Sequence, residues 1–186
     1  RGRRLSAEEI RDSILSFSGD LNLKLGGPGV YPLLPDEVLA TASRPDSAWG
    51  RSSKEESSRR SIFIHVKRSL LHPMLQAFDM ADTDNPCPVR FNTIQPTQAL
   101  TLLNSDFSER QAKSFADRLE NEHSNTRDRI RACMLIVSQK APAPQRVDEN
   151  LSFFENLKSE HDLNDRQALE IFCLMALNLT ETIHID

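Results

Sequence analysis

Apolar side chains recur at helical spacing through the second half of this 186-residue chain and only in patches through the first. From Pro96, a favourable first-turn residue, Leu100, Leu103, Phe107, Ala112, Phe115, Ala116 and Leu119 return every three to five residues. A break is expected near Asn104-Ser105-Asp106, where Ser105 or Asp106 would cap a second helix. Ile130, Cys133, Met134 and Val137 mark the next helix, ended before Pro142. Val147, Leu151, Phe154 and Leu157 mark another, and Leu169, Phe172, Cys173, Ala176 and Leu177 the last. Four or five helices in short succession predict a bundle.

The first half opens with a helix at Ser6-Ala7-Glu8-Glu9, a capping box in which Ser6 satisfies an orphan amide and Glu9 reaches back. Ile10, Ile14, Leu15 and Phe17 make its apolar stripe and Gly19 ends it. Turn chemistry then dominates, from Gly26-Gly27-Pro28-Gly29 through Pro35, at Arg44-Pro45-Asp46 and at Trp49-Gly50; connections this long tend to be functional or flexible. Arg59 to Ser69 alternates with period two. A strand there puts Ile62, Ile64 and Val66 on one face and Phe63, His65 and Lys67 on the other. Leu70 to Phe78 reads as a short helix interrupted by Pro73, which is tolerated if it occupies the first turn, followed by a proline-rich connector at Asp82 to Pro88.

Punctuation agrees with this division. All six glycines fall at or before Gly50, and residues 97 to 186 hold only two prolines, Pro142 and Pro144. The expected fold is mainly α: one domain over 1–186, with a helical bundle at 96–186 packed on a loop-rich lobe at 1–95 and at most one or two short strands.

With 38% hydrophobic and 27% charged residues the composition is that of an ordinary globular chain. The net charge of −4 gives no overall basic footprint, which argues against nucleic acid as a partner. Charge is nevertheless uneven: six Lys or Arg against two Glu in residues 51–68, and two against six acids in residues 146–165. Those segments could face each other or simply be solvated. The longest apolar stretch, Ile171 to Leu177, is far short of the ~20 residues of a membrane span. Arg1-Gly2-Arg3-Arg4 has no apolar run after it and does not read as a signal peptide, an observation without weight for a piece of a longer precursor. Cys87, Cys133 and Cys173 lack the spacing of a disulfide framework, a zinc site or a haem attachment, and the latter two read as buried hydrophobes.

Candidate chemistry is sparse. Glu8, Arg11 and Asp12 share a helix face; an arginine between two carboxylates lowers both pKa values, which points to a structural ion network, extended by Asp79, in preference to acid–base catalysis. Asp79, Asp82, Asp84 and Asn85 gather oxygen donors that a hard cation would accept, but Pro86 and the missing glycine favour turn building. His65, His72 and Cys87 match no metal-site spacing, so no metal or cofactor is predicted. Neither a nucleophile elbow nor a phosphate loop occurs. The best binding candidates are Arg59, Arg60, His65, Lys67, Arg68 and Arg90, whose cations could hold an anionic glycan or a partner, with Tyr31, Trp49 or Phe63 stacking on sugar faces. Pairing of these arginines with Glu8, Asp12 or Asp79 is the competing structural role.

The ordered blocks Arg3-Arg4-Leu5, Ile10-Arg11-Asp12, Gly26-Gly27-Pro28, Val30-Tyr31-Pro32, Arg59-Arg60-Ser61, Lys67-Arg68-Ser69, Phe78-Asp79, Pro96-Thr97-Gln98-Ala99-Leu100 and Ala176-Leu177-Asn178 resemble the C-terminal part of the planctomycete domain of unknown function 1553. The resemblance implies a setting in large exported proteins that also carry a planctomycete-type cytochrome c domain, and hence an extracytoplasmic, periplasm-like location. Where relatives favour a Leu-Gly-Arg-x-Pro helix end, this chain reads Ser138-Gln139-Lys140-Ala141-Pro142, and its close at Thr182-Ile183-His184-Ile185-Asp186 lacks their aromatic pair. The family brings no activity with it. The expected role is a non-catalytic interaction or scaffolding module that contacts other domains of the same polypeptide; the alternative is part of an enzyme acting on complex polysaccharides, sulfated ones among them.

Overall fold

The computed structural model describes residues 3–81, 83, 87, 89–90 and 93–185. It is mainly α. Helix α1, Ala7–Ser18, starts at the capping box: the Ser6 hydroxyl accepts the Glu9 N–H at 3.3 Å and the Glu9 carboxylate accepts the Ser6 N–H at 2.8 Å. It ends at Gly19, whose φ of +83° suits glycine and lets its N–H reach the Leu15 and Ser16 carbonyls.

The helices of the second half begin where local chemistry tells them to. Helix α6, Pro96–Leu103, has its proline in the first turn, and Ser105 caps α7, Asp106–Glu122. Asn125 caps α8, Thr126–Ser138. Pro144 opens α9, Pro144–His161, and Asn164 with Gln167 forms a reciprocal cap on α10, Asp165–Leu177. A last short helix, α11, covers Thr180–Ile183. Helix α7 is central, with α10 along one side and α1 along another. Ile10 and Ile14 of α1 therefore join Phe115 and Leu119 of α7, Phe154 of α9 and Phe172 of α10 in one buried cluster drawn from both halves of the chain. Each fully buried Phe or Ile contributes roughly 1.5–3 kcal/mol relative to exposure.

The turn-rich stretch holds the short helices α2, Asp36–Ala40; α3, Pro45–Ala48; and α4, Lys54–Ser57, which the apolar pattern does not predict. Helices α2 and α3 pack around a small second cluster of Leu34, Ala48 and Leu70. Helix α5, Pro73–Ala77, starts at Pro73, three residues later than the expected Leu70, because the proline takes the first helical position.

The expected strand at Arg59 to Ser69 is not formed. Ser61–Phe63 is a 3-10 turn, and the segment makes only isolated bridges, Arg59 to Asn22 and Ile64 to Val30 in parallel and Lys67 to Leu70 antiparallel. Ile64 is buried, whereas Ile62 is 73% and Val66 46% exposed, so the three do not share one buried face. The reason is local: the Asp12 carboxylate takes the Ser61 N–H at 2.7 Å and the Arg60 carbonyl takes the Phe63 N–H, leaving little backbone for a ladder. Pairing occurs instead between β1, Arg3–Arg4, and β2, His184–Ile185, antiparallel, with Arg3 opposite Ile185 and Arg4 opposite His184. No described helix is long and apolar enough to cross a membrane. Within the acidic segment, Asp148 pairs with Arg127, while Glu155 and Asp165 pair with Lys158.

Candidate functional site

Three buried arginines organise the first half of the chain. Arg11, on the inner face of α1, donates to the Arg59 carbonyl and the Ser61 hydroxyl, each at 3.1 Å, and to the Ser57 carbonyl. Burial lowers its pKa to about 10, against the opposing pull of Asp12, whose carboxylate lies 3.9 Å away. Arg59 is fully buried. Its guanidinium donates to the carbonyls of Lys24, Gly26 and Pro28 and to Glu56, and lies over the Phe63 ring at 4.2 Å. One side chain thus pins the whole Gly26 to Pro28 loop. Arg4 reaches Asp79 at 2.7 Å and the carbonyls of Phe78 and Thr93. Burial works against the Asp79 carboxylate, but the Thr93 N–H and hydroxyl and the Arg4 guanidinium outweigh it and hold its pKa below the usual value.

The remaining charges line an open groove of about 830 Å³ between α1 and residues 60–66. Arg90 grips Glu8 with both terminal nitrogens, at 2.8 and 2.9 Å, and this contact is the main reason the Glu8 pKa is lowered. Arg3 engages Glu9 in the same way, and with the Ser6 cap it brings Glu9 to about 2. Arg60 meets Asp12 at 3.4 Å. Exposed Ile62 and Val66, with half-buried Met80, supply apolar floor between these pairs.

The groove brings together Arg60 and Arg90 from the predicted set, along with Glu8 and Asp12. It does not gather His65, Lys67 or Arg68. His65 packs against Tyr31, ring centroids 4.8 Å apart, and against Trp49 at 6.0 Å; Lys67 donates to the Ala48 carbonyl at 2.7 Å and Arg68 to that of Thr83 at 3.1 Å. Of the aromatics considered for sugar stacking, Phe63 is covered by Arg59, and Tyr31 and Trp49 meet edge to face at 5.3 Å.

His72 is buried, and burial, reinforced by Arg11 and Arg110, lowers its pKa to about 3, so it is neutral at ordinary pH. Asp82, Asp84 and Asn85 of the proposed cation cluster lie outside the described residues, and Asp79 is committed to Arg4 and Thr93. Among the described residues no three His, Cys, Asp or Glu side chains come close enough together to hold a metal ion. Cys133 and Cys173 are both buried in the core; burial, then hydrogen bonding with Cys133, pushes the Cys173 thiol well above its ordinary range. Sequence reasoning passed over Arg110 and Lys113 on the polar side of α7. Their three-residue spacing is that of any solvated helix face and carries no signal by itself.

The groove offers paired charges and apolar contact area, with each carboxylate on its rim held by an arginine. Such an arrangement suits recognition more than proton transfer, since a carboxylate held ionised by a guanidinium is a poor general acid. No curated protein and no solved structure matches the chain. Residues 1–154 match the family model described as "Protein of unknown function (DUF1553)", a span that includes the buried arginines, the groove and the helices through most of α9. The chain therefore belongs to the DUF1553 family.

Proposed function

We propose that this chain is a non-catalytic interaction module of a larger exported polypeptide, docking a neighbouring domain of that polypeptide in the groove between α1 and residues 60–66. The observation that carries the reading is the use made of the arginines. Arg11 and Arg59 are 1% and 0% exposed, and the terminal nitrogens of both guanidinium groups donate mainly to backbone carbonyls of the lobe, so they build it and are not offered to a ligand. Arg60 and Arg90 are bound to Asp12 and Glu8. What the groove still presents is exposed apolar surface at Ile62 and Val66 inside a ring of charge pairs, the pattern of an apolar centre with a polar rim. A cytochrome c domain is the partner suggested by the family resemblance, and an extracytoplasmic setting goes with it.

The alternative, a part of a polysaccharide-processing enzyme, needs an acid or base whose pKa suits proton transfer. Glu8 and Glu9 are both moved in the wrong direction for a general acid.

Titration of this chain against the separately produced remainder of its polypeptide tests the reading. Binding is expected, with Ile62→Asp and Val66→Asp together weakening it about tenfold or more while leaving the fold intact, since both side chains are exposed. Release of products from a panel of sulfated and unsulfated polysaccharides, with no binding to the remainder, would overturn it.

A further inference from the structure

A second cavity, of about 510 Å³, opens on the other side of α1, between that helix, the Ser52 to Ser58 segment and α7. Its wall carries four cations, Arg11, Lys54, Arg110 and Lys113, against one carboxylate, Asp117. That carboxylate is already engaged: its Oδ1 accepts from Arg166 at 2.7 Å. Arg11 is spent on carbonyls, as described, and its guanidinium faces the Phe107 ring at 5.5 Å. The side chains of Lys54, Arg110 and Lys113 are exposed and form no hydrogen bond or ion pair with any described residue. The contrast with the first groove is sharp, because every cation on that rim has its own carboxylate and these three have none.

His72, which borders the cavity, is buried, and its Nδ1 is a polar atom with no hydrogen-bond partner. Asp36, Glu37 and Asp106 line a neighbouring cavity of about 630 Å³ that shares Leu33, His72, Phe107 and Arg110 with this one, yet none of the three forms an ion pair with Arg110. Cations held together without counter-charge repel one another, and the arrangement is relieved when an anion is bound among them. Arg110 and Lys113 are one turn apart on α7, and Ser114 adds a hydroxyl donor beside them. Pro32, Leu33 and Phe107 line the rest and would pack against the body that carries the anion.

We infer that this cavity is a binding site for a tetrahedral oxyanion, a sulfate or phosphate ester on a larger molecule, held by Lys54, Arg110 and Lys113. Arginine forks and lysine ammonium groups are the side chains that bind such oxygens with charge-assisted hydrogen bonds. The inference stands apart from the docking groove, which shares none of these three residues.

The test is titration with inorganic sulfate and inorganic phosphate, with sodium chloride at matched ionic strength as control. Thermal unfolding and the NMR resonances of the His72 ring are followed in the wild type and in Arg110→Ala, Lys113→Ala. Sulfate stabilises most proteins by exclusion from their surface, so a rise in melting temperature alone does not count. The expected result is a saturable rise above the chloride control, accompanied by saturable movement of the His72 resonances. The dissociation constant should be weakened about tenfold or more in the double variant. Identical responses of wild type and variant, with His72 unmoved, would reduce the effect to general salting and overturn the site. Because both replaced side chains are exposed, the variant is expected to fold, and the His72 resonances give an independent reading of the same cavity in the wild type. Glucose 6-sulfate and glucose 6-phosphate, compared in the same way, then distinguish the two sources of the anion.

Discussion

The guanidinium of Arg11 donates to the backbone carbonyl of Arg59 at 3.1 Å, so one buried arginine positions the next. Arg59 in turn holds the carbonyls of Lys24, Gly26 and Pro28, and the lobe between α1 and residue 59 closes around it. Removing the side chain strands three carbonyls and opens a void. Arg59→Met should lower stability by about 3 kcal/mol or more in urea unfolding, and Arg59→Lys should recover only part of it, since an ammonium cannot span the same fork. Values within about 0.5 kcal/mol of wild type would contradict this role.

His72 makes a pH prediction with a definite sign. Its pKa is about 3 in the folded chain against an ordinary 6.5, so between those values the unfolded chain binds the extra proton. Stability contributed by the neutral ring is fully present above pH 6.5 and is lost as the pH falls toward 3, by an amount on the order of a few kcal/mol. His72→Leu removes this component. The wild type should therefore lose stability relative to the variant by about 1.4 kcal/mol per pH unit at most between pH 6 and pH 4. Parallel stability–pH curves for the two proteins would refute it.

At the end of α8, Gln139 has φ of +55°, the left-handed conformation that costs a side chain with a Cβ about 1 kcal/mol. Gln139→Gly should stabilise the chain by about 0.5–1 kcal/mol, read as a rise in melting temperature. A loss of stability would mean that the Gln139 side chain contributes more than its backbone strain costs.

Gly50 lies against the ring of Tyr31, where an added Cβ would come within 2.8 Å of three ring carbons. The ring is flanked by Trp49 and His65 and cannot retreat without disturbing both. Gly50→Ala is expected to cost about 1–3 kcal/mol and to shift the emission of Trp49, the single tryptophan. Unchanged emission and stability would show that the aromatic group yields freely.

What could be read from the residues alone was what local chemistry decides. Ser6 with Glu9, Gly19, Pro96 and Ser105 each act within a turn of their own position, and the helices begin and end where those residues indicate. The lobe resisted because its organisers act at a distance. Arg11 meets Arg59 across 48 positions, and Arg59 meets Gly26 across 33, through carbonyls that leave no mark in the sequence. The alternation at residues 61–66 suggested a strand because periodicity cannot register that Asp12 takes the Ser61 N–H. The basic cluster was visible as composition, but its division into buried, paired and unpaired cations was not. Arg110 and Lys113 looked like any solvated helix face until Arg11 and Lys54 were placed opposite them.

The most direct measurement of the proposed docking role is photo-cross-linking from position 62. Ile62 is 73% exposed and faces the groove, so a benzophenone side chain in its place leaves the core untouched. In the intact polypeptide the account predicts cross-links from this position to one defined surface of a neighbouring domain, lost when Val66→Asp and Met80→Asp remove the apolar floor. No cross-link to a neighbouring domain, or an unchanged cross-linking pattern when those changes are made, would contradict the claim that this groove is where the chain meets its partner.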